Sequence, residues 1–349
     1  MKRQKTREVR IGSVVIGGGN PVAIQSMLCA PPEDMEANVR QTRALYEAGC
    51  QINRVAMPRE GGTRLIQAIK EASPMPLVAD IQFDYRLAIE AARAGADKVR
   101  INPGNIGDQE KVRQVVEACG ERDIPIRIGV NSGSLEREIL EKYQRPTAQA
   151  LAESALLNIR LLEELDFHNY VVAIKSSDVF TTVEAYRLAA EQTDCPFHLG
   201  VTEAGTERMG IIKSAAAFGA LLADNIGDTI RVSLTDDPVK EVYAARDILR
   251  GLGLLRNGPR FVSCPTCGRC QVDLFRVARE VEEALRDCKK DVKIAIMGCP
   301  VNGPGEARDA DIGIAGGKGE ALLFRKGEIV RKVPEEQMVA VLLEEVARL

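Results

Sequence analysis

The sequence predicts an α/β protein with an N-terminal (β/α)8 barrel of the TIM type and a small C-terminal α+β domain. From residue 21, short apolar runs alternate with amphipathic stretches, the pattern of parallel strands connected by helices. The runs number eight, as a closed (β/α)8 barrel requires. A chain of 349 residues is long for one core but suits a barrel followed by a second domain.

The eight apolar runs are short and bounded by turn residues. The predicted strands are residues 22–27, 52–57, 77–81, 98–101, 124–130, 170–175, 198–201 and 229–234. An open doubly wound sheet is the alternative, and it requires a glycine-rich phosphate turn after its first strand. Here Gly17, Gly18 and Gly19 precede the strand and indicate a turn that leads into it. The pattern therefore favours the barrel.

The domain boundary is predicted near residue 250. The last barrel helix spans 239–250, and the glycine-rich stretch 251–260 is typical of a linker. The barrel is thus residues 1–250 and the second domain residues 261–349. In the second domain the pattern predicts a helix at 273–289, strands at 292–297, 311–314 and 321–324, and a closing helix at 335–349.

Composition excludes several classes of function. With 47 basic and 50 acidic residues, a net charge of -3 and 4% aromatic residues, the chain has no basic footprint for nucleic acid. No apolar run approaches the ~18 residues of a membrane span. Nine cysteines are an odd number, and residues 1–10 are charged, unlike a signal peptide. We expect a cytoplasmic protein with reduced thiols.

Three cysteines and a glutamate suggest one metal site built from two distant segments. Cys264 and Cys267 have the spacing by which one turn presents two thiolates to a metal. Cys299 follows an apolar run and begins a glycine- and proline-rich loop that can fold around an inorganic group. Glu306 is the carboxylate within reach on that loop.

Cys270 leaves two kinds of metal site open. In a closed zinc site, Cys270 is the fourth ligand. Alternatively, Cys264, Cys267 and Cys270 form the opening of a bacterial ferredoxin pattern, which indicates an iron-sulfur cluster. If only three thiolates bind a cubane cluster, one iron has no sulfur ligand from the protein. That iron can hold a carboxylate or a substrate oxygen.

Cations lie at the ends of four predicted barrel strands, where barrel enzymes place their chemistry. They are Arg54, Arg100, Arg127 and Lys175. Guanidinium forks match phosphate oxygens and an ammonium adds a point charge, so the set predicts an anionic substrate with more than one charge. In the alternative interpretation, each cation pairs with a carboxylate. The carboxylates considered are Asp80, Asp84 and Glu203.

Neutral and acidic groups flank this set. Asn131 follows strand five and supplies a donor and an acceptor, or only forms a turn. Glu203, at the end of strand seven, should stay ionised among cations and suits proton transfer or hydroxyl orientation. His168 and His198 are predicted to be structural. The chain shows no Ser-His-Asp set, which argues against ordinary hydrolase chemistry.

At these residues the chain resembles the 4-hydroxy-3-methylbut-2-enyl diphosphate synthase family of the methylerythritol phosphate route to isoprenoids. The resemblance covers nearly the whole chain. Its most specific motifs are Cys264-Pro-Thr-Cys-Gly-Arg269 and the pair Met297-Gly-Cys299 and Val301-Asn-Gly-Pro-Gly-Glu306. The other matching segments are residues 24–27, 48–50, 54–56, 79–80, 83–86, 97–98, 100–105, 127–131, 175–178 and 200–205.

The resemblance implies a set of site residues. The [4Fe-4S] cluster would be held by Cys264, Cys267, Cys299 and, at rest, Glu306, with Cys270 as a bystander. The groups that would hold the diphosphate of 2-C-methyl-D-erythritol 2,4-cyclodiphosphate are Arg54, Arg100, Arg127, Lys175 and Ser233. The groups around its reacting carbons and hydroxyl would be Asn131, Glu203 and Asn302.

The resemblance also implies a reaction and partners. In this family the substrate replaces the glutamate on the unique iron, and two electrons enter through the cluster. The ring opens at a carbon-oxygen bond, and water leaves. A flavodoxin or ferredoxin donates the electrons. Family members are homodimers in which the cluster domain of one chain closes the barrel mouth of the other.

Two positions depart from the family pattern. Gln82 stands where the family usually has a histidine, so a neutral amide replaces a ring nitrogen as donor to the phosphate. Residues 28–31 read Leu-Cys-Ala-Pro in place of the usual Thr and Asn run, which removes hydroxyls and adds a thiol. The large insertion that plant and some bacterial forms carry after the barrel is missing.

Two rival functions remain from the sequence. One is a phosphate-binding barrel whose C-terminal module is a structural zinc ribbon or an electron carrier. The other is half of a sulfite or nitrite reductase, which requires four cysteines and a haem-type cofactor.

Overall fold

The computed structural model describes residues 5–107, 109–300, 305 and 307–349, with the side chains of 103 and 104 left out. The chain forms two compact units, Met1–Leu249 and Arg250–Leu349. Within the described residues, none of the helices combines the length and apolar character that crossing a membrane requires.

The first unit contains a hairpin and eight barrel strands. The hairpin strands are β1 Val9–Ile11 and β2 Val14–Ile16. The barrel strands are β3 Ala23–Ile24, β4 Asn53–Ala56, β5 Leu77–Asp80, β6 Lys98–Ile101, β7 Ile126–Asn131, β8 Tyr170–Lys175, β9 His198–Leu199 and β10 Thr229–Ile230. Each predicted barrel strand is therefore present, although β3, β9 and β10 are shorter than predicted.

The barrel strands form a closed parallel ring. Strands β4 to β8 make one five-stranded parallel sheet, and β3, β10 and β9 make a three-stranded one. Parallel bridges between Gln25 and Ile52 and between Val172 and Phe197 join the two sheets. The predicted (β/α)8 barrel is confirmed, and it is followed by a separate mixed α/β unit.

Helices follow the strands around the barrel. They are α1 Met35–Glu47, α2 Gly62–Ala72, α3 Tyr85–Ala94, α4 Pro103–Ile106, α5 Gln109–Gly120, α6 Arg137–Tyr143, α7 Ala148–Glu164, α8 Val179–Ala190, α9 Glu207–Ala223 and α10 Pro238–Gly251. Several start at polar caps, because the first backbone N–H groups of a helix need acceptors. The side chains of Asp34, Thr147 and Asp178 accept such bonds.

The sequence analysis missed the hairpin of β1 and β2, which are antiparallel. It lies across the N-terminal end of the barrel. A Cβ on its turn residue Gly12 would lie 3.0 Å from Asp97 Oδ1, just before β6, and Thr6 Oγ1 donates to Asp228 Oδ1 at 2.8 Å, just before β10. The apolar core between hairpin and barrel consists of Val9, Ile11, Ile16, Ala23, Ile52, Val78 and Val171.

In the part of the second unit that the structure describes, two helices of more than one turn accompany one five-stranded sheet. Its strands are β11 Arg260–Ser263, β12 Lys293–Met297, β13 Ile312–Gly316, β14 Glu320–Arg325 and β15 Glu328–Pro334, in that spatial order. Its helices are α11 Leu274–Ala284 and α12 Met338–Arg348, the latter preceded by a short 3-10 turn. The first three strands are parallel, and the last two pairings are antiparallel.

Helices α11 and α12 share one apolar core with this sheet, formed by residues such as Val281, Ile294 and Leu342. The sequence analysis missed β11 and β15. Strand β15 is exposed along most of its length and rich in charge, so it lacks the apolar alternation that marks a half-buried strand. Strand β11 has only four residues, and none of them is fully buried.

Candidate functional site

The barrel interior carries five buried cations. Side chains alternate between the two faces of a strand, so Lys98 and Arg100 share the inward face of β6. Arg54 on β4, Arg127 on β7 and Lys175 at the end of β8 complete the set. Their exposed fractions are 0% for Lys98 and Arg127, 5% for Arg54, and 8% for Arg100 and Lys175. Such burial of five basic side chains requires compensating negative charge.

Asp80 provides part of that charge. Its carboxylate accepts from Arg54 Nη2 at 2.7 Å and from Arg100 Nη1 at 3.0 Å. Burial alone would raise the pKa of Asp80, but the positive charges of Arg54, Arg100 and Arg127 outweigh it and hold that pKa well below its usual range. The predicted alternative of carboxylate pairing therefore holds for two cations. Asp84 instead pairs with the exposed Arg86.

Arg127 has no such partner among the described residues. Its three guanidinium nitrogens are buried without a hydrogen bond there. Burial lowers the pKa of Arg127 well below its usual value, and the charges of Arg54 and Arg100 lower it further. The expectation that Arg127 ends its strand is wrong, because β7 continues to Asn131. Arg127 is the second residue of β7, near the start of the strand, and its side chain is fully buried in the barrel.

Lys98 is a further buried cation of the barrel interior, and it was not predicted. Its Nζ is buried and has no hydrogen-bond partner among the described residues. Burial lowers the pKa of Lys98 well below its usual value, and the charges of Arg127 and Arg54 add to this. Burial likewise lowers the pKa of Lys175, again helped by Arg54. The strand period of two, counted back from Arg100, is the signal that places Lys98 on the same face.

His198 also faces these cations, although the sequence analysis assigned it a structural role. Its Nδ1 lies 2.7 Å from Thr229 Oγ1, and its buried Nε2 has no partner among the described residues. Burial lowers the pKa of His198 well below its usual value, and the charges of Arg127 and Lys175 reinforce this. The ring is therefore neutral, and it lies close to the predicted anion site. His168, by contrast, is exposed beside Asp166.

Ser233 lies in the loop after β10. Its Oγ accepts a hydrogen bond of 2.8 Å from Nη1 of Arg231. Arg231, a residue that the sequence analysis missed, also donates to both carboxylate oxygens of the buried Glu241 in α10. Arg231 lies inside the predicted strand 229–234, but no sequence pattern singled it out, and in the structure it lies just beyond the end of β10.

The remaining predicted residues are more peripheral. Asn131 ends β7 beside Lys175 of β8. Gln82 is exposed in the turn after β5. Glu203 is exposed with a left-handed φ of 52°. The expectation that Glu203 ends a strand is wrong, because β9 already ends at Leu199. Two further predicted residues, Asn302 and Glu306, lie outside the described residues.

In the second unit, two predicted ligands follow neighbouring strands. Cys264 comes directly after β11, and Cys299 comes shortly after β12, its parallel neighbour. The backbone N–H of Gly298 donates to Cys264 Sγ at 3.2 Å. Cys267 is exposed. Its pKa is lowered mainly by a hydrogen bond from the backbone N–H of Arg269 and next by one from the Arg269 side chain. The lowered pKa of Cys267 favours its thiolate, the form of cysteine that binds metals.

The side chain of Cys270 packs against its own loop and against Gly298. Its Sγ donates to the carbonyl of Val272 at 3.3 Å. A Cβ on Gly298 would lie 2.6 Å from that sulfur, so the thiol packs against the glycine. Among the described residues, no three His, Cys, Asp or Glu side chains lie close enough to hold a metal ion.

The donor set nevertheless fits an iron-sulfur cluster. Soft thiolates select such clusters, and an N–H bond to a ligand sulfur is one of the features that tune them. Cys264, Cys267 and Cys299 are all free thiols in the structure, as are the other six cysteines.

Solved structures share the barrel. The truncated 3-deoxy-D-arabino-heptulosonate 7-phosphate synthase of Thermotoga maritima matches with a TM-score of 0.53 at 16% identity, over 71% of this chain and 94% of that one. The 3-dehydroquinate dehydratase of Geobacillus kaustophilus matches with a TM-score of 0.50 at 16% identity, over 71% and 98%. At this identity the likeness concerns the fold alone.

Sequence comparison covers both units. The GcpE TIM-barrel domain matches residues 6–246, and the GcpE protein C-terminal domain matches residues 260–348. The 4-hydroxy-3-methylbut-2-en-1-yl diphosphate synthase (flavodoxin) of Clostridium perfringens is 56% identical over 98% of each chain. The protein of the same name from Geobacillus kaustophilus is 57% identical over 99% of this chain and 93% of that one. The chain therefore belongs to the GcpE family and is an enzyme, an oxidoreductase of isoprenoid biosynthesis.

Proposed function

We propose that this enzyme converts 2-C-methyl-D-erythritol 2,4-cyclodiphosphate to 4-hydroxy-3-methylbut-2-enyl diphosphate. Two electrons and two protons enter, a carbon-oxygen bond of the ring breaks, and one oxygen leaves as water. The observation that carries the proposal is Arg127, whose buried guanidinium nitrogens lack a hydrogen-bond partner among the described residues. A buried guanidinium needs acceptors, and a diphosphate offers several with matching geometry.

The neighbouring cations support a diphosphate more than a single carboxylate. Arg54 and Arg100 share the one carboxylate of Asp80, which leaves Arg54 Nη1 and Arg100 Nε without partners among the described residues. Lys175 is the last residue of β8. Its ammonium would add a further positive charge to the contacts of a bound anion. We assign the diphosphate to Arg54, Arg100, Arg127, Lys175 and Ser233, with Gln82 as an outer amide contact.

The electrons are proposed to pass through a [4Fe-4S] cluster. Cys264, Cys267 and Cys299 would hold it, and Glu306 would occupy its remaining iron until substrate binds. When bound, the cluster would supply single electrons and one iron accessible to a substrate oxygen. The Gly298 N–H bond to the sulfur of Cys264 and the lowered pKa of Cys267 support both residues as ligands.

Three groups are proposed to act around the reacting carbons and hydroxyl. Glu203 would transfer a proton or orient the hydroxyl, and Asn131 and Asn302 would supply neutral hydrogen bonds. The exposure of Glu203 keeps its carboxylate available to a ligand. Its left-handed φ of 52° is uncommon for a residue with a side chain, and such strain concentrates at functional sites.

The partners are proposed from the relatives. The names of these relatives specify flavodoxin, and we propose a flavodoxin as electron donor, with a ferredoxin as the alternative. We also propose a homodimer. Mixing an inactive Arg127→Ala variant with an inactive Cys264→Ser variant tests it, because activity regained in mixed dimers requires one site to draw on both chains.

The cluster is tested by iron, sulfide and zinc analysis of protein purified without oxygen. About four irons and four sulfides per chain, unchanged in Cys270→Ser and lost in Cys264→Ser, would support the three-cysteine assignment. One zinc per chain that Cys270→Ser releases would establish a closed structural site instead. The reaction is then assayed by conversion of the cyclic diphosphate with a reduced flavodoxin or a chemical reductant.

A further inference from the structure

Lys98 lies where the apolar core beneath the barrel meets the buried cations. It is on the inward face of β6, two residues before Arg100, a separation of about 6.6 Å along a strand. Its register partner on β5 is Val78, which belongs to the apolar core between the hairpin and the barrel. The side chain of Lys98 is 0% exposed. Its amine is therefore enclosed next to the predicted anion site.

The amine of Lys98 has no group to stabilise a positive charge among the described residues. Its Nζ is buried there without a hydrogen-bond partner. The nearby carboxylate of Asp80 already accepts from Arg54 and Arg100. A buried ammonium without an acceptor is costly, and an amine, unlike a guanidinium, can lose its proton. The lowered pKa of Lys98, caused first by burial and then by the charges of Arg127 and Arg54, agrees with this geometry.

The other charged or titratable groups inside the barrel leave an excess of positive charge around Lys98. From β4 to β9 they are Arg54, Asp80, Arg100, Arg127, Lys175 and His198. Strand β3 has no charged residue. Just beyond β10, Arg231 pairs with Glu241 of α10, so this pair adds no net charge. A bound dianion would offset the excess and make a charged Lys98 more stable.

We propose that Lys98 is neutral in the free enzyme and takes up one proton from the solvent when the diphosphate binds. The inference rests on the proposed function, because the cyclic diphosphate brings the negative charges. Proton uptake on binding and the effect of pH on affinity are linked, so the affinity falls as pH rises through the range in which uptake occurs. Lys98 thereby makes binding of the anion dependent on pH.

The test is titration calorimetry of the full chain with the cyclic diphosphate, in buffers of different ionisation enthalpy. The slope of the binding enthalpy against the ionisation enthalpy of the buffer gives the number of protons taken up. The ligand contributes none, because each of its phosphorus atoms has one acidic oxygen and lacks the second ionisation, with a pKa of about 6, of a phosphate monoester. We expect an uptake that approaches one proton at a pH between about 6 and 9, where the affinity falls up to about tenfold per pH unit.

Two substitutions remove the amine of Lys98. Lys98→Met replaces it with an apolar side chain and should fold, because no buried charge loses its partner. Lys98→Gln keeps a polar group that does not titrate. In both variants the uptake should be lost, and the affinity should change less than about twofold per pH unit. An unchanged uptake in these variants would overturn the inference.

His198 and Lys175 are the other two groups of the barrel interior that can gain a proton. His198→Asn keeps a polar atom near Thr229, the partner of Nδ1, but does not titrate. Lys175→Arg keeps a positive charge at the end of β8 that does not titrate in this range. Both variants should retain the uptake. Its loss in either one would assign the proton to that residue and overturn the inference.

The wild-type enzyme alone separates the inference from the proposed function. Binding of the cyclic diphosphate without proton uptake between about pH 6 and 9 would overturn the inference while the proposed function stands. Failure of the wild-type enzyme to bind the cyclic diphosphate would overturn both.

Discussion

Arg100 lies directly over Gly129 of the neighbouring strand β7. A Cβ on Gly129 would lie 2.5 Å from Arg100 Nε and 3.0 Å from its Cζ. Gly129 also lies two residues beyond Arg127 on the same face of β7. The missing side chain at this position therefore provides the space in which Arg100 reaches Asp80, above Arg127.

Gly129→Ala should displace Arg100 from Asp80, because a contact of 2.5 Å is impossible without movement of the guanidinium. We expect about tenfold weaker binding of the cyclic diphosphate with the fold retained. Titration calorimetry and circular dichroism check the two parts. Gly133→Ala is the matched control on the same side of the barrel, because a Cβ there has no atom within 4 Å. Equal affinities of both variants would contradict the steric role.

Asp80→Asn should destabilise the protein by about 3 kcal/mol at neutral pH, because it removes one partner of a buried ion pair. The pKa of Asp80 is lower in the folded protein, so its contribution is complete above the usual value of about 3.9 and is lost as pH falls toward the folded-state pKa. The difference from wild type should therefore be constant between about pH 5 and 7 and shrink in stronger acid. Denaturant unfolding measures it.

Asp84→Asn is the control for that series. Asp84 pairs with Arg86 on the surface, and such pairs contribute about 0–1 kcal/mol. If Asp84→Asn destabilised the protein as much as Asp80→Asn, burial of the Asp80 pair would not explain the larger effect expected for it.

Lys98→Met should stabilise the unliganded protein by about 1–3 kcal/mol at pH 7, because it removes a buried amine without a hydrogen-bond partner among the described residues. The pKa of Lys98 is lowered on folding, so the unfolded chain binds the extra proton and wild-type stability rises with pH up to about 10.4. The advantage of Lys98→Met should shrink as pH rises toward that value. Lys70→Met, which alters an exposed pair with Asp97, is the control for the exchange of a lysine for a methionine. A pH-independent advantage would contradict the lowered pKa.

Arg127→Met should separate stability from binding. Without ligand it should unfold at a higher denaturant concentration than wild type, since methionine fills the space without a charge to compensate. With ligand at about 100 times Kd, wild type gains about 2.7 kcal/mol, and the variant should gain far less. Unfolding curves with and without the cyclic diphosphate measure both effects. A variant that is less stable and equally responsive to ligand would contradict the assignment.

Four cations were predicted at strand ends, and two of them lie there, Arg100 next to the end of β6 and Lys175 at the end of β8. Arg54 and Arg127 are instead the second residues of β4 and β7. A sequence pattern does not give the height of a residue along the barrel, because strand ends depend on hydrogen-bond register with the neighbouring strands. Arg127 was therefore assigned to the wrong end of β7. Lys98 was missed because the sequence analysis considered only strand ends.

Very short strands and long-range side-chain contacts could not be predicted from the sequence. Strands β1 and β2 have three residues each, too few for a period to be recognised. Arg231 is held in place only because α10 brings Glu241 against the loop after β10, a contact between residues that no local pattern relates. The cysteine pattern, by contrast, is local. It predicted a turn that carries Cys264 and Cys267, and it predicted the strand before Cys299, which the structure shows as β12.

The hairpin across the end of the barrel has a consequence for synthesis of the chain. Val9, Ile11 and Ile16 leave the ribosome early, but Val171, one of their packing partners, belongs to the sixth barrel strand. Through most of barrel synthesis these apolar side chains lack their full cover. The growing chain therefore carries an aggregation-prone segment that becomes protected only when β8 has been made.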